Sequence, residues 1–215
     1  MTLHRRAFLS LAAAAAALLP QSSTAQTVLK PGSGGIGRVD ALSGVAFRRR
    51  PEGLLVLKAG DPVFADDELV TAEDSRLQVR LHDGGLLVLG AGSRCALNAL
   101  ELPSDSLPGR GLATMSGGIL RVILQGGGRW QGFAVRGSTA VASVRGTDFV
   151  VESQAADTAV FVVHGLVAVE GLAGGSVRLS AGEGTDVAAG ERPTEARQWP
   201  PERVQRTLQQ VQVQP

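Results

Sequence analysis

From residue 36 onward the chain is a succession of short apolar runs separated by glycine-rich and polar breaks. Leu77, Val79 and Leu81 alternate with Gln78 and Arg80, the two-residue period of a strand with one buried face. Asp83-Gly84-Gly85 separates this run from Leu86–Leu89. An Asp-Gly pair between two apolar runs is a strong hairpin signal, because it accommodates the positive φ of a tight turn. Similar runs occupy 36–42 and 45–49 around Ser43-Gly44, 54–57 before Gly60-Asp61-Pro62, and 69–71. Others follow at 93–100, 119–124 and 133–136, the last two around Gly126-Gly127-Gly128. Runs at 140–144, 149–152, 159–163, 166–169 and 177–179 complete the series. Their spacing, roughly 8–12 residues, predicts an all-β fold of many short strands, in a β-sandwich or a roll-like, solenoid-like module. Gly37, Gly117 and Gly165 each open a Gly-x-Val or Gly-x-x-Leu segment, which suggests stacking but maintains no fixed period. Residues 101–111, holding Pro103 and Pro108, are expected to form a surface loop.

The pattern changes at both ends. Residues 191–215 are rich in proline and glutamine, and 202–211 predict one short helix with Pro201 near its first turn. This polar tail, with its short helix, is expected to dock only loosely. Residues 1–25 run from His4-Arg5-Arg6 through an apolar stretch of 13 residues, Ala7 to Leu19, to Ser23-Thr24-Ala25. Basic start, short apolar core and small residues are the order of a cleavable export signal. The paired arginines before Ala7-Phe8-Leu9 are similar to the twin-arginine type. Cleavage is expected between Ala25 and Gln26, followed by a flexible lead-in at 26–35 and the β domain at 36–190. The apolar core is short of the roughly 20 residues that span a bilayer. The expected product is a periplasmic or secreted chain with no transmembrane segment.

Removing that leader alters the charge argument. The whole chain has 21 basic and 20 acidic residues, and the leader contains Arg5, Arg6 and no acid. A near-neutral mature chain gives no electrostatic case for nucleic acid. Glycine, at 28 of 215 residues, fits many tight turns between strands. The lone Cys95 alternates in phase with Leu97, as a small buried hydrophobe would.

Candidate chemistry is sparse. His82 borders a turn and His164 precedes Gly165, neither with a partner at metal-ligand spacing. Asp66, Asp67 and Glu68 read as a solvated edge, and Arg48-Arg49-Arg50 as charges protecting an edge strand. A Gly-x-Gly-x-x-Gly at Gly32, Gly34 and Gly37 lacks the strand before it and the helix after it that a dinucleotide site needs. The sequence therefore assigns no catalytic residue, no cofactor and no metal, and predicts a non-enzyme.

The most informative segment is Val135 to Val151, in which Arg145-Gly146-Thr147 interrupts two apolar runs. Gly146 suits a positive φ or a close backbone approach. Arg145 has donors either for buried carbonyls and carboxylates or for an anionic ligand. The apolar flanks favour the structural role, a lock between two core strands.

Taken in order, several pieces resemble the FecR domain family. They are Gly37-Arg38-Val39; Gly60-Asp61-Pro62-Val63 through Thr71; the Asp83-Gly84-Gly85 hairpin; Phe133-Ala134-Val135; Ala140 through Arg145-Gly146-Thr147-Asp148-Phe149; and Gly165-Leu166-Val167 with Ala181-Gly182-Glu183. Where that family usually has Thr-Pro-Ala, this chain has Ser138-Thr139-Ala140. The resemblance implies an all-β periplasmic module. In its best-known members the module senses iron-siderophore transport and controls a sigma factor. It also implies a binding, sensor or adaptor role in envelope signalling, with iron-siderophore or other stress as the input and an envelope protein as the partner. The alternative is a structural protein binding cell-wall glycan or peptidoglycan. The cytoplasmic domain, membrane helix and further periplasmic subdomain of those regulators have no counterpart in this reading.

Overall fold

The computed structural model describes residues 35–51, 53–125 and 129–213. The expected leader, its Ala25-Gln26 cleavage site, nearly all of the lead-in and the Gly126-Gly127-Gly128 loop lie outside the described residues. The described residues form seventeen strands and one helix. The strands are β1 (Gly37–Ser43), β2 (Ala46–Arg50), β3 (Gly53–Val56), β4 (Pro62–Val63), β5 (Glu68–Thr71), β6 (Arg76–Leu81), β7 (Leu86–Leu89), β8 (Arg94–Glu101) and β9 (Gly109–Ile123). They continue as β10 (Trp130–Arg136), β11 (Ala140–Val144), β12 (Asp148–Gln154), β13 (Asp157–His164), β14 (Leu166–Gly171), β15 (Ser176–Ser180), β16 (Glu183–Ala188) and β17 (Arg197–Gln198). The helix is α1 (Pro201–Gln210).

Hydrogen bonds join every strand into one mixed network, antiparallel except between β9 and β10. The network bends into two sheets that share β9. The first runs β4-β1-β6-β7-β9-β12-β13-β16-β17. The second runs β3-β2-β5-β8-β9-β10-β11-β14-β15. One apolar core joins residues of both, with Val79, Leu89, Leu120 and Val151 from the first sheet and Leu69, Leu97, Val135 and Val169 from the second. The chain crosses between sheets every one or two strands, which makes the sandwich roll-like, as the spacing of apolar runs predicts.

Strand β9 makes the crossing within itself. Its first part pairs with β8 and β10, and residues 118–123 pair with β12, the last four of them also with β7. Gly118, at φ +91, marks the switch. A Cβ there would stand 2.5 Å from the Ser93 Cα. Ser93 is fully buried, and its hydroxyl accepts from the Ile119 N–H at 2.9 Å and donates to the Ile119 carbonyl at 3.1 Å. Its own N–H donates to the Thr71 hydroxyl, which donates to the Gly90 carbonyl. A corner that would otherwise strand backbone polar groups is thus satisfied by two small hydroxyls.

The structure corrects four expectations. Residues 101–111 are not one loop: β8 reaches Glu101 and β9 starts at Gly109. The glycines there permit close packing rather than turning, since a Cβ on Gly111 would meet the Phe133 ring at 2.5 Å. Arg48-Arg49-Arg50 does not guard an edge, because β2 lies between β3 and β5. The edge is β3, where Leu54, Leu55 and Val56 are exposed. Nor is Asp67 solvated. It is fully buried, accepts from the Phe64 N–H at 2.8 Å, and pairs with Arg50 and Arg48, while Arg49 pairs with Glu68.

The tail is also held firmly. Thr207 is buried and donates to Glu152 at 2.6 Å, and Arg203 pairs with Asp186. Leu208 and Val211 pack on Val88, Ile119 and Val150, outside the main core. Trp199 stacks on Phe161 with ring centroids 5.0 Å apart. Val204, Leu208 and Val211 lie four and three residues apart, and that spacing makes one apolar stripe from a polar sequence. The first sheet is therefore covered on both faces.

Candidate functional site

The Arg145-Gly146-Thr147 segment links β11 in the second sheet to β12 in the first. The apolar runs on either side are strands of different sheets, and the three residues form a corner. Gly146 takes φ +75, and the Thr147 carbonyl accepts from the Leu124 N–H at 2.9 Å. Gly165, at φ +93, turns the return crossing from β13 to β14. A Cβ on Gly165 would lie 2.7 Å from Thr147 Cγ2, so the two corners interlock. Thr147 is buried, and its hydroxyl has no hydrogen-bond partner among the described residues. Asp148 accepts two hydrogen bonds from Arg121, at 2.9 and 2.7 Å, and these raise the Arg121 guanidinium above its ordinary pKa. Phe149 is fully buried in the core.

Arg145 itself differs from expectation. Its side chain is exposed and makes no hydrogen bond or ion pair among the described residues. Strand β11 alternates, with Ala140, Ala142 and Val144 buried, and that phase turns the next residue outward. Gly146, Thr147 and Asp148 make the lock, and the arginine that satisfies a carboxylate is Arg121.

The other sequence candidates separate from this corner. At the turn between β6 and β7, Gly84 takes φ +91 and the Asp83 carboxylate accepts from the Gly85 N–H. Asp83 also accepts from the Trp130 indole at 2.8 Å, tying the turn of one sheet to β10 of the other. His82 and His164 are exposed. Cys95 is fully buried, and burial pushes its thiol up to about 12, where it stays protonated. Among the described residues, no three His, Cys, Asp or Glu side chains gather as a metal site would require.

Arg145 stands instead on a groove of about 810 Å³ on the outer face of the second sheet. A second hollow of about 380 Å³ continues it and shares Gln131, Gly132 and Ser143. The ladder explains the depression. Ala134 is opposite Ser143, Ser143 opposite Ala168, and Ala168 opposite Arg178, so three small side chains make the floor across β10, β11 and β14. Arg145, Arg178 and Arg110 stand along it, with Leu112 and Leu166 as apolar flanks. Among the described residues, no carboxylate lines either hollow. Sequence reasoning missed all of these except Arg145. The readable signal was strand alternation, which places Ser143, Ala168 and Arg178 on one solvent face once the strand order is known.

Fold and site define a two-sheet β module with a solvent-facing groove and an interlocked glycine corner. Residues 67–168 match the FecR protein family, so this region of the chain is a FecR domain. Two crystal structures, each of a candidate anti-sigma factor from Parabacteroides distasonis ATCC 8503, share the fold. Their identities to this chain are 24% and 25%, with TM-scores of 0.53 and 0.54. Each alignment covers 66% of this chain, which spans 64% of the length of those proteins. No functionally curated protein matches the chain.

Proposed function

We propose that the chain is exported and acts, without catalysis, as a binding sensor or adaptor in envelope signalling. The observation that carries this reading is the FecR domain at 67–168, supported by the likeness to candidate anti-sigma factors. The groove beside Arg145 is the surface on which such a module would receive its signal. Iron-siderophore uptake or another envelope stress is the input, and an envelope protein the partner.

Two measurements test it. Fractionation should recover the chain from the periplasm with Gln26 at its N-terminus, and Arg5→Lys/Arg6→Lys should leave it uncut in the cytoplasm. Recovery of uncut wild-type chain from the membrane fraction overturns the export step. Deletion should shift transcripts of genes that share one alternative sigma-factor promoter. Unchanged transcripts, together with co-sedimentation on purified peptidoglycan, would establish the wall-binding alternative instead.

A further inference from the structure

We infer that the groove on the second sheet binds an extended, acidic polypeptide segment of a partner protein, gripped by Arg145 and Arg178. The inference rests on the sensor or adaptor reading for its biology, but its evidence is the charge distribution of the molecule. Eight arginines, Arg48, Arg49, Arg50, Arg80, Arg94, Arg121, Arg197 and Arg203, each have a carboxylate partner. Arg145, Arg178 and Arg110 have none among the described residues; Arg145 and Arg178 line the groove and Arg110 the hollow that continues it, and no acidic residue among the described ones lines either. Arg110 donates from Nε to Gln131, which aligns its guanidinium along the groove wall. A planar guanidinium is the side chain best shaped to hold a carboxylate through two parallel hydrogen bonds.

Shape and polarity select the kind of anion. The floor is Ala134, Ser143 and Ala168, flat and without bulk, and it runs across the strands for the width of β10, β11 and β14. An elongated ligand fits it better than a single small ion. Leu112 and Leu166 flank the cations, and Leu166 is 68% exposed, so the surface suits a chain that mixes acidic with aliphatic side chains. A sugar polymer would want an exposed aromatic ring for its apolar faces. The ring that lines the groove, Phe133, is 1% exposed. The strands beneath are paired on both sides, so recognition comes from side chains and not from strand addition.

The test uses the mature chain and a fluorescein-labelled decapeptide of alternating Glu and Leu, with its Lys-Leu counterpart, followed by fluorescence anisotropy. Binding of the Glu-Leu peptide should weaken about tenfold in Arg145→Ala/Arg178→Ala and weaken with added salt. Ser143→Trp, which fills the floor, should weaken it as well. Arg206→Ala, an exposed arginine on α1, should leave it unchanged. Circular dichroism establishes that each variant is folded. Equal affinity of wild type and the double variant, or equal binding of the Lys-Leu peptide, overturns the inference. Binding of oligogalacturonate with no binding of the Glu-Leu peptide overturns the choice of a polypeptide. Failure here leaves the export and transcript experiments standing, so the two readings fall separately.

Discussion

Arg145 and Arg121 divide between them the two roles open to an arginine beside Gly146. Arg121 approaches Asp148 with two hydrogen bonds, both side chains largely buried, whereas Arg145 faces solvent. Arg145→Ala should therefore leave thermal stability within about 0.5 kcal/mol of wild type. Arg121→Ala should cost about 1–3 kcal/mol, because the largely buried Asp148 loses a charge-assisted partner. Urea denaturation of both variants checks the pair. Equal losses would return Arg145 to the lock. The residues of the motif were legible in the sequence, since Gly146 and the apolar flanks announced a corner. The division of labour was not, because Arg121 and Asp148 are 27 positions apart and only the β9–β12 ladder brings them together.

At the scale of elements, the apolar runs located most strands, and the structure departs where glycine or polarity disguises packing. Strand β9 hid behind its glycines, and α1 behind its glutamines. A clue to α1 was present in Phe149-Val150-Val151 and Ala159-Val160-Phe161-Val162, continuous apolar runs that signal burial on both faces of a sheet. The docking of the helix is also tied to a carboxylate that titrates in acid. Hydrogen bonds from Arg203, with Arg197 beside it, hold the Asp186 carboxyl below its ordinary pKa. A depressed folded-state pKa contributes stability that is present above the unfolded value and lost as pH falls through the folded one. Docking of α1 should weaken below about pH 4. In a Trp130→Phe background, the emission of Trp199, which stacks on Phe161 and under Arg203, reports it. The shift should appear at neutral pH in Asp186→Asn, and an emission indifferent to both changes would show that apolar packing alone holds the helix.

For the whole molecule, sharing β9 means that neither sheet has a complete set of partners without the other. The core is continuous across both, and Trp130 donates to Asp83 between them. Such an arrangement unfolds as one unit, although its topology is rich in sequence-distant pairings. In Trp199→Phe, the remaining Trp130 should lose its native emission at the same urea concentration at which backbone circular dichroism is lost. Gly118→Ala tests the coupling at its weakest geometric point. It asks a side chain to adopt φ +91 and to displace Ser93, whose hydroxyl satisfies both the N–H and the carbonyl of Ile119 just past the crossing. A cost of about 2–4 kcal/mol is expected from strain and the broken buried hydrogen bonds together. If β9 couples the sheets, this variant still melts in one transition, displaced to lower urea for both probes alike. Separate midpoints for Trp130 emission and circular dichroism would instead reveal two sheets that fold independently and meet only at their faces.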